Sequence, residues 1–196
     1  MSTLNKRYFL TAASLACAGV LPAPPAQAAP AMRSPGLLTV TGAIGRGNRG
    51  PVDPALDQML VKQRVTFDRA HVFEALSRLP AATIRPTLEY DAQAHTLKGP
   101  LLTEVVLATG AQVTETTQLV LRAVDGYTVT LPWVQARRQR FMVATHLDGR
   151  PMALGGLGPL WAVFDADRDA QSAALALSQR FAACPWGLYH LAVQAG

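Results

Sequence analysis

Several groups of residues in this sequence have types and spacings that invite chemistry. Gly45-Arg46-Gly47-Asn48-Arg49-Gly50 matches the glycine fingerprint of a dinucleotide-binding turn, and Asp68 lies about where a ribose-binding carboxylate would fall. Such a turn works only when a helix opens directly behind it, so that unpaired backbone N–H groups meet the pyrophosphate. Pro51, Asp53 and Pro54 stand in the place of that helix. The stretch therefore reads as a loop. His71, His95, His146 and His190 are widely separated, whereas the simplest metal site brings imidazoles within a few residues of one another, so no metal site is expected. Ser77, Ser172 and Ser178 fall inside helix-like segments, and no nucleophile elbow surrounds any serine. Cys184 lies beside Phe181, Pro185 and Trp186, an apolar setting that raises a thiol pKa and predicts a buried, inert group.

Two carboxylates remain as binding candidates. Glu89 and Asp91 flank Tyr90 at what reads as a strand end, where alternate residues share a face. Trp133, Trp161 and Trp186 could line a cleft, although large rings at strand ends more often build the core. Lys plus Arg number 18 against 13 Asp plus Glu, a formal charge of +5. The one tight basic group is Arg137, Arg138 and Arg140, without interleaved aromatics, so it reads as a solvated face and no nucleic-acid role is expected.

These residues need elements to position them, and the composition, 49% hydrophobic and 16% charged, fits an ordinary globular domain. Leu37 to Thr41 is a short β-type run, followed by a Gly-, Arg- and Pro-rich loop to Pro54. With Asp68 as cap, the apolar spacing of Val72, Phe73, Ala75, Leu76 and Leu79 predicts a helix over 69–79, stopped by Pro80. Thr83 to Leu88 reads as a strand. A second helix is predicted from Gly99 and Pro100 to Gly110. Gln118 to Val124 and Tyr127 to Leu131 form a hairpin around Asp125-Gly126, whose two central positions both tolerate positive φ. Strands at Phe141 to His146 and Leu160 to Phe164, turns at Asp148-Gly149 and Gly155 to Pro159, a helix over 171–183 and a last strand from Leu188 to Val193 complete the pattern.

The N-terminus carries a different message. Lys6 and Arg7, an apolar run from Tyr8 to Leu21 and the ending Ala26-Gln27-Ala28 make residues 1–28 a secretory signal peptide, with cleavage expected after Ala28. The run is shorter than the roughly 20 residues that span a bilayer, and no membrane span is expected elsewhere. Asn5-Lys6-Arg7-Tyr8-Phe9-Leu10 is similar to a twin-arginine signal with Lys in place of its first Arg, so either export route is open. Cys17 lacks the Leu expected three residues before a lipidated cysteine. Residues 29–36 read as a flexible lead, 37–196 as one domain, and the location as periplasmic.

The order of short motifs along that domain carries more information than any one of them. Leu37-Leu38-Thr39-Val40-Thr41-Gly42, Leu97-Lys98-Gly99-Pro100-Leu101-Leu102, Gly110-Ala111, Ala123-Val124-Asp125-Gly126-Tyr127, Asp148-Gly149-Arg150-Pro151, Gly158-Pro159-Leu160-Trp161 and Trp186-Gly187-Leu188 follow one another. The set resembles the molybdopterin-binding domain of the sulfite-oxidase superfamily. The resemblance implies an α+β fold, a mixed-sheet, barrel-like domain, with the metal held by a cysteine in a Thr-Leu-any-Cys stretch. The matching residues here are Thr87-Leu88-Glu89-Tyr90, which places Tyr90 where the thiolate would stand. A phenol does not replace a soft thiolate. The Gly-Asn and Arg positions that follow the cysteine in that family are replaced by Asp91-Ala92-Gln93-Ala94. In this the chain resembles a short exported branch that lacks the ligand.

The expectation is a periplasmic binding or accessory module with no cofactor, in which Glu89, Tyr90 and Asp91 floor a cleft for a small ligand or meet an envelope protein partner. The alternatives are a molybdopterin-dependent oxidoreductase with atypical ligation and a sensory ligand-binding domain. Arg85 and Lys98 are the basic residues nearest that loop for a pterin phosphate.

Overall fold

The computed structural model describes residues 35–196. The segment read as a signal peptide, the cleavage expected after Ala28, Cys17 and most of the lead before Leu37 lie outside these residues. In chain order the strands are β1 (Leu38–Gly42), β2 (His71–Phe73), β3 (Ala81–Ile84), β4 (Leu97–Pro100), β5 (Gln118–Ala123), β6 (Thr128–Pro132), β7 (Met142–Ala144), β8 (His146–Leu147), β9 (Arg150–Pro151), β10 (Trp161–Val163) and β11 (Leu188–Gln194). The α-helices are α1 (Gln58–Lys62), α2 (Leu102–Ala108), α3 (Trp133–Arg138) and α4 (Ala170–Ala173).

Five strands form a mixed sheet in the order β2-β1-β11-β5-β6, in which β1 and β11 run parallel and the other neighbours antiparallel. A four-stranded sheet, β3-β4-β8-β9, and the pair β10-β7 complete the set. The α+β reading holds. The barrel does not: β2 and β6 end the sheet without pairing with each other, and closure would require them to pair.

Leu119, Leu121 and Ala123 alternate along β5, and an irregularity between Leu188 and His190 shifts the β11 register so that Val193, Leu191 and Leu188 lie opposite them on the buried face. Leu102, Val105 and Val106 of α2 pack into the same core as Phe141, Trp161 and Phe164, and the Phe141 and Phe164 rings stand 4.8 Å apart. Gly99 lets β4 lie directly on β7, where a Cβ would run into the Val143 carbonyl. The lone cysteine of the described residues, Cys184, is buried as expected.

Several local expectations give way to tertiary contacts. The helix over 69–79 is replaced by β2 and a single 3-10 turn at Leu76–Arg78. β2 finds partners on both sides: Phe73 pairs with Leu38, while the Asn48 amide donates to the Val72 carbonyl at 2.8 Å and accepts its N–H at 2.7 Å. Those bonds replace the ones a helix would have made, and Asp68 caps nothing. The second helix begins later than read, because Gly99 and Pro100 pair with Ala82 and Ala81 in β4. The strand read over Thr83 to Leu88 ends at Ile84. The helix over 171–183 survives as α4 and a 3-10 turn at Leu177–Gln179, with the Arg180 guanidinium donating to the carbonyls of Ala173 and Leu175 between them.

The β5–β6 hairpin forms, but Gly126 alone adopts positive φ there; the Gly126 N–H closes a turn onto the Ala123 carbonyl, with the glycine as the bulge. The two-residue turn with positive φ at both positions is Asp148-Gly149, between Leu147 and Arg150. Gly45 to Gly50 is followed by no immediate helix, α1 starting at Gln58, and remains a loop.

Candidate functional site

Glu89, Tyr90 and Asp91 sit in a tight turn just after β3. The Leu88 N–H donates to the Gln93 carbonyl at 2.9 Å and the Ala92 N–H to the Leu88 carbonyl at 3.0 Å, with Ala92 in the left-handed region at φ 58°. A bridge between Thr87 and Ala94 closes the base. Because this is a turn and not a strand end, the two carboxylates part company. Asp91 folds back, accepting the Gln93 N–H at 3.0 Å and a His95 ring N–H at 2.8 Å. Glu89 and Tyr90 line a cavity of about 280 Å³ that Asp91 does not line.

His95 is the residue that spacing did not single out. Its Nε2 meets Asp91 and its Nδ1 meets Asp148 at 2.7 Å, so both ring nitrogens donate to carboxylates. A ring that donates twice is the imidazolium, and the two carboxylates hold the His95 pKa above its ordinary value. Asp148 also accepts the Thr96 N–H at 2.9 Å. The Tyr90 turn is thereby tied to the β8–β9 hairpin. The Asp91-to-His95 interval of four residues is a signal the sequence carries; Asp148 comes from another element.

Three separate segments meet at the cavity. The Tyr90 turn forms one side, Asp125 and Tyr127 of the β5–β6 turn another, and Phe181 to Trp186 the third. Tyr127 is held by its hydroxyl, which donates to the Ala182 carbonyl at 2.6 Å, while its N–H is capped by Asp125 at 2.8 Å. Tyr90 is half exposed and its ring lies 6.4 Å from that of Trp161. Burial of the hydroxyl and the neighbouring Glu89 carboxylate push the Tyr90 phenol up to about 12. The Cys184 thiol also borders the cavity; burial pushes its pKa up, and Glu89 adds to the shift, so it stays protonated. Of the three tryptophans, Trp186 borders the cavity, whereas Trp133 and Trp161 are buried.

These residues do not suit a phosphorylated pterin with its metal. A phosphate needs cationic or backbone N–H partners, yet among the described residues no Arg, Lys or His lines the cavity, and Arg85 and Lys98 lie outside it. A soft metal favours thiolate, and the position read for that ligand carries the phenol of Tyr90.

A second recess, about 260 Å³, is bordered by Arg138, Arg140 and Arg168 together with Asp165 and Asp169. Arg168 pairs with Asp165 at 3.6 Å, and Asp169 caps α4 through the Ser172 N–H and hydroxyl. Arg168 and Asp165 are its one ion pair among the described residues, while Asp169 also accepts from the Gln139 amide at 3.1 Å. Among the described residues no three His, Cys, Asp or Glu side chains come together as a metal-binding group, and no helix is long and apolar enough to cross a membrane.

No protein-family model matches the chain, and no curated protein matches it. Among solved structures it is similar to the sulfane dehydrogenase SoxCD from Paracoccus pantotrophus, with 13% identity and a TM-score of 0.50 over 80% of this chain. The match covers 37% of that chain, so this protein spans little more than a third of its length. The likeness is one of fold alone.

Proposed function

We propose that the chain is an exported binding module on a sulfite-oxidase-like fold, working in the periplasm without a pterin cofactor and engaging a small ligand at the Tyr90 cavity. One observation carries this reading. The turn that resembles the family's metal loop presents Glu89 and Tyr90 to a cavity whose donor set suits neither a phosphate nor a soft metal. What remains is a concave site with convergent polar groups and aromatic walls, the usual form of a small-molecule site.

Protein purified from its own envelope fraction supplies the test. N-terminal sequencing should begin at Ala29, and elemental and pterin analysis should find neither molybdenum nor tungsten in stoichiometric amount. Either metal at near-stoichiometric level, lost on Cys184→Ser, overturns the cofactor-free reading in favour of an oxidoreductase with atypical ligation. A mature chain starting at a lipidated Cys17 overturns cleavage after Ala28 in favour of a lipoprotein.

A further inference from the structure

We infer that the Tyr90 cavity selects an organic cation, a small alkylammonium compound, held by Glu89 and Asp125 against the rings of Tyr90, Tyr127 and Trp186. This deepens the binding reading above and rests on it.

Charge sign is the first support. The whole chain is formally +5, yet among the described residues the charged side chains lining this cavity are Glu89 and Asp125, both carboxylates. They come from two different turns, about 36 positions apart in the chain, and face one space. An anion entering there meets like charge on two sides. A neutral ligand strips water from two carboxylates and returns no compensating partner. A cation satisfies both.

The aromatic lining is the second support. Tyr90 is 54% exposed, Tyr127 49% and Trp186 37%, and all three border the same opening. The Tyr127 ring is fixed in place by its hydroxyl bond to the Ala182 carbonyl. Aromatic faces attract cations through their quadrupole, and an ammonium carrying alkyl groups also buries apolar surface against them. Inorganic cations gain little from such walls and would call for more oxygen ligands than two carboxylates offer. Phe181, buried beneath these rings, keeps the floor apolar. The raised phenol of Tyr90 stays neutral over the ordinary pH range and contributes its ring and hydroxyl without adding charge.

Calorimetric titration of the exported protein with choline, with putrescine and with 3,3-dimethylbutan-1-ol, the uncharged analogue of choline, tests the inference. At least one ammonium compound should bind, and the uncharged analogue should bind at least about tenfold more weakly than choline if choline is the ligand. Glu89→Gln and Asp125→Asn, both at turn positions, should each weaken binding severalfold, and Tyr90→Ala should do the same. Equal binding of choline and its uncharged analogue, or indifference to both carboxylate substitutions, overturns the inference. So does the absence of binding by either ammonium compound. If an anionic or neutral compound binds instead and Tyr90→Ala abolishes it, the cavity remains a ligand site and only the charge preference fails. If metal analysis finds molybdenum, the underlying reading fails as well.

Discussion

Trp161 donates its indole N–H to the carbonyl oxygen of Cys184 at 2.9 Å, so a fully buried ring of the core holds the backbone that borders the Tyr90 cavity. The same strand receives the chain again one residue later, where the Ala162 N–H donates to the Pro185 carbonyl at 3.1 Å. Trp161→Phe leaves that carbonyl without its donor and removes ring volume, and should cost about 1–3 kcal/mol or more in urea unfolding. The Cys184 thiol, buried and kept protonated, should resist thiol reagents in the native protein and react on unfolding. Labelling of the native protein at the rate of a free thiol would show the wall of the cavity to be open.

A second expectation concerns acid stability. His190 is buried; Arg122 can only donate, at 3.2 Å to its Nδ1, so Nε2 carries the proton and donates to the Thr41 hydroxyl at 2.9 Å. Burial, with the Arg122 charge beside it, pushes the ring down to about 3. The unfolded chain binds a proton near 6.5 that the folded chain refuses, so this contribution is complete above 6.5 and declines as pH falls toward 3. Stability should therefore drop by up to about 1.4 kcal/mol per pH unit from this group between roughly pH 6 and 4.5. His190→Asn, compared by denaturant unfolding across that range, should show a shallower slope. An unchanged slope rules His190 out as the source.

His95 behaves in the opposite sense. Its pKa is raised by Asp148 and Asp91, so the stabilisation is fully present below the ordinary value of about 6.5 and is lost as pH rises through the elevated folded value. Nuclear magnetic resonance titration of the ring should show a midpoint above that of a free histidine. Asp148→Asn should bring the midpoint down and broaden resonances of the turn from Leu88 to Gln93. A midpoint at or below the ordinary value would contradict the double ion pair.

Gly99 offers a packing test. A Cβ there collides with the Val143 backbone carbonyl, which cannot swing aside as a side chain would. Gly99→Ala should destabilise the fold by about 2 kcal/mol or more, measured by thermal or urea unfolding. Gly149→Ala, at an open position, provides the comparison: its cost comes from φ 78° alone and should be smaller.

The elements legible in the sequence were those whose signals are local. Leu188 to Val193 and the β5–β6 pair show themselves because they are short apolar runs rich in leucine, valine and threonine bounded by turn signals, and because Asp125-Gly126 can turn the chain whichever hairpin geometry it adopts. Asp148-Gly149 and Gly110 likewise mark a turn and a helix end through their own backbone freedom. Cys184 was readable as a buried thiol because its near neighbours Phe181 and Pro185 are apolar, and both are buried with it.

Tertiary structure decided the rest where one pattern served two outcomes. Val72, Phe73 and Leu76 satisfy helical spacing, but β1 and the Asn48 amide, 24 residues from Val72, supply the hydrogen bonds that make His71–Phe73 a strand. Glu89, Tyr90 and Asp91 could be picked out as neighbours, yet their division between cavity and ion pair depends on Ala92 turning the chain and on Asp148 reaching His95 from another hairpin. The meeting of Glu89 with Asp125 and of Tyr90 with Trp186 around one space is set by which strands pair. Hydrogen-bond registry and core packing sum over the whole chain, so these contacts between distant residues leave no mark in local periodicity.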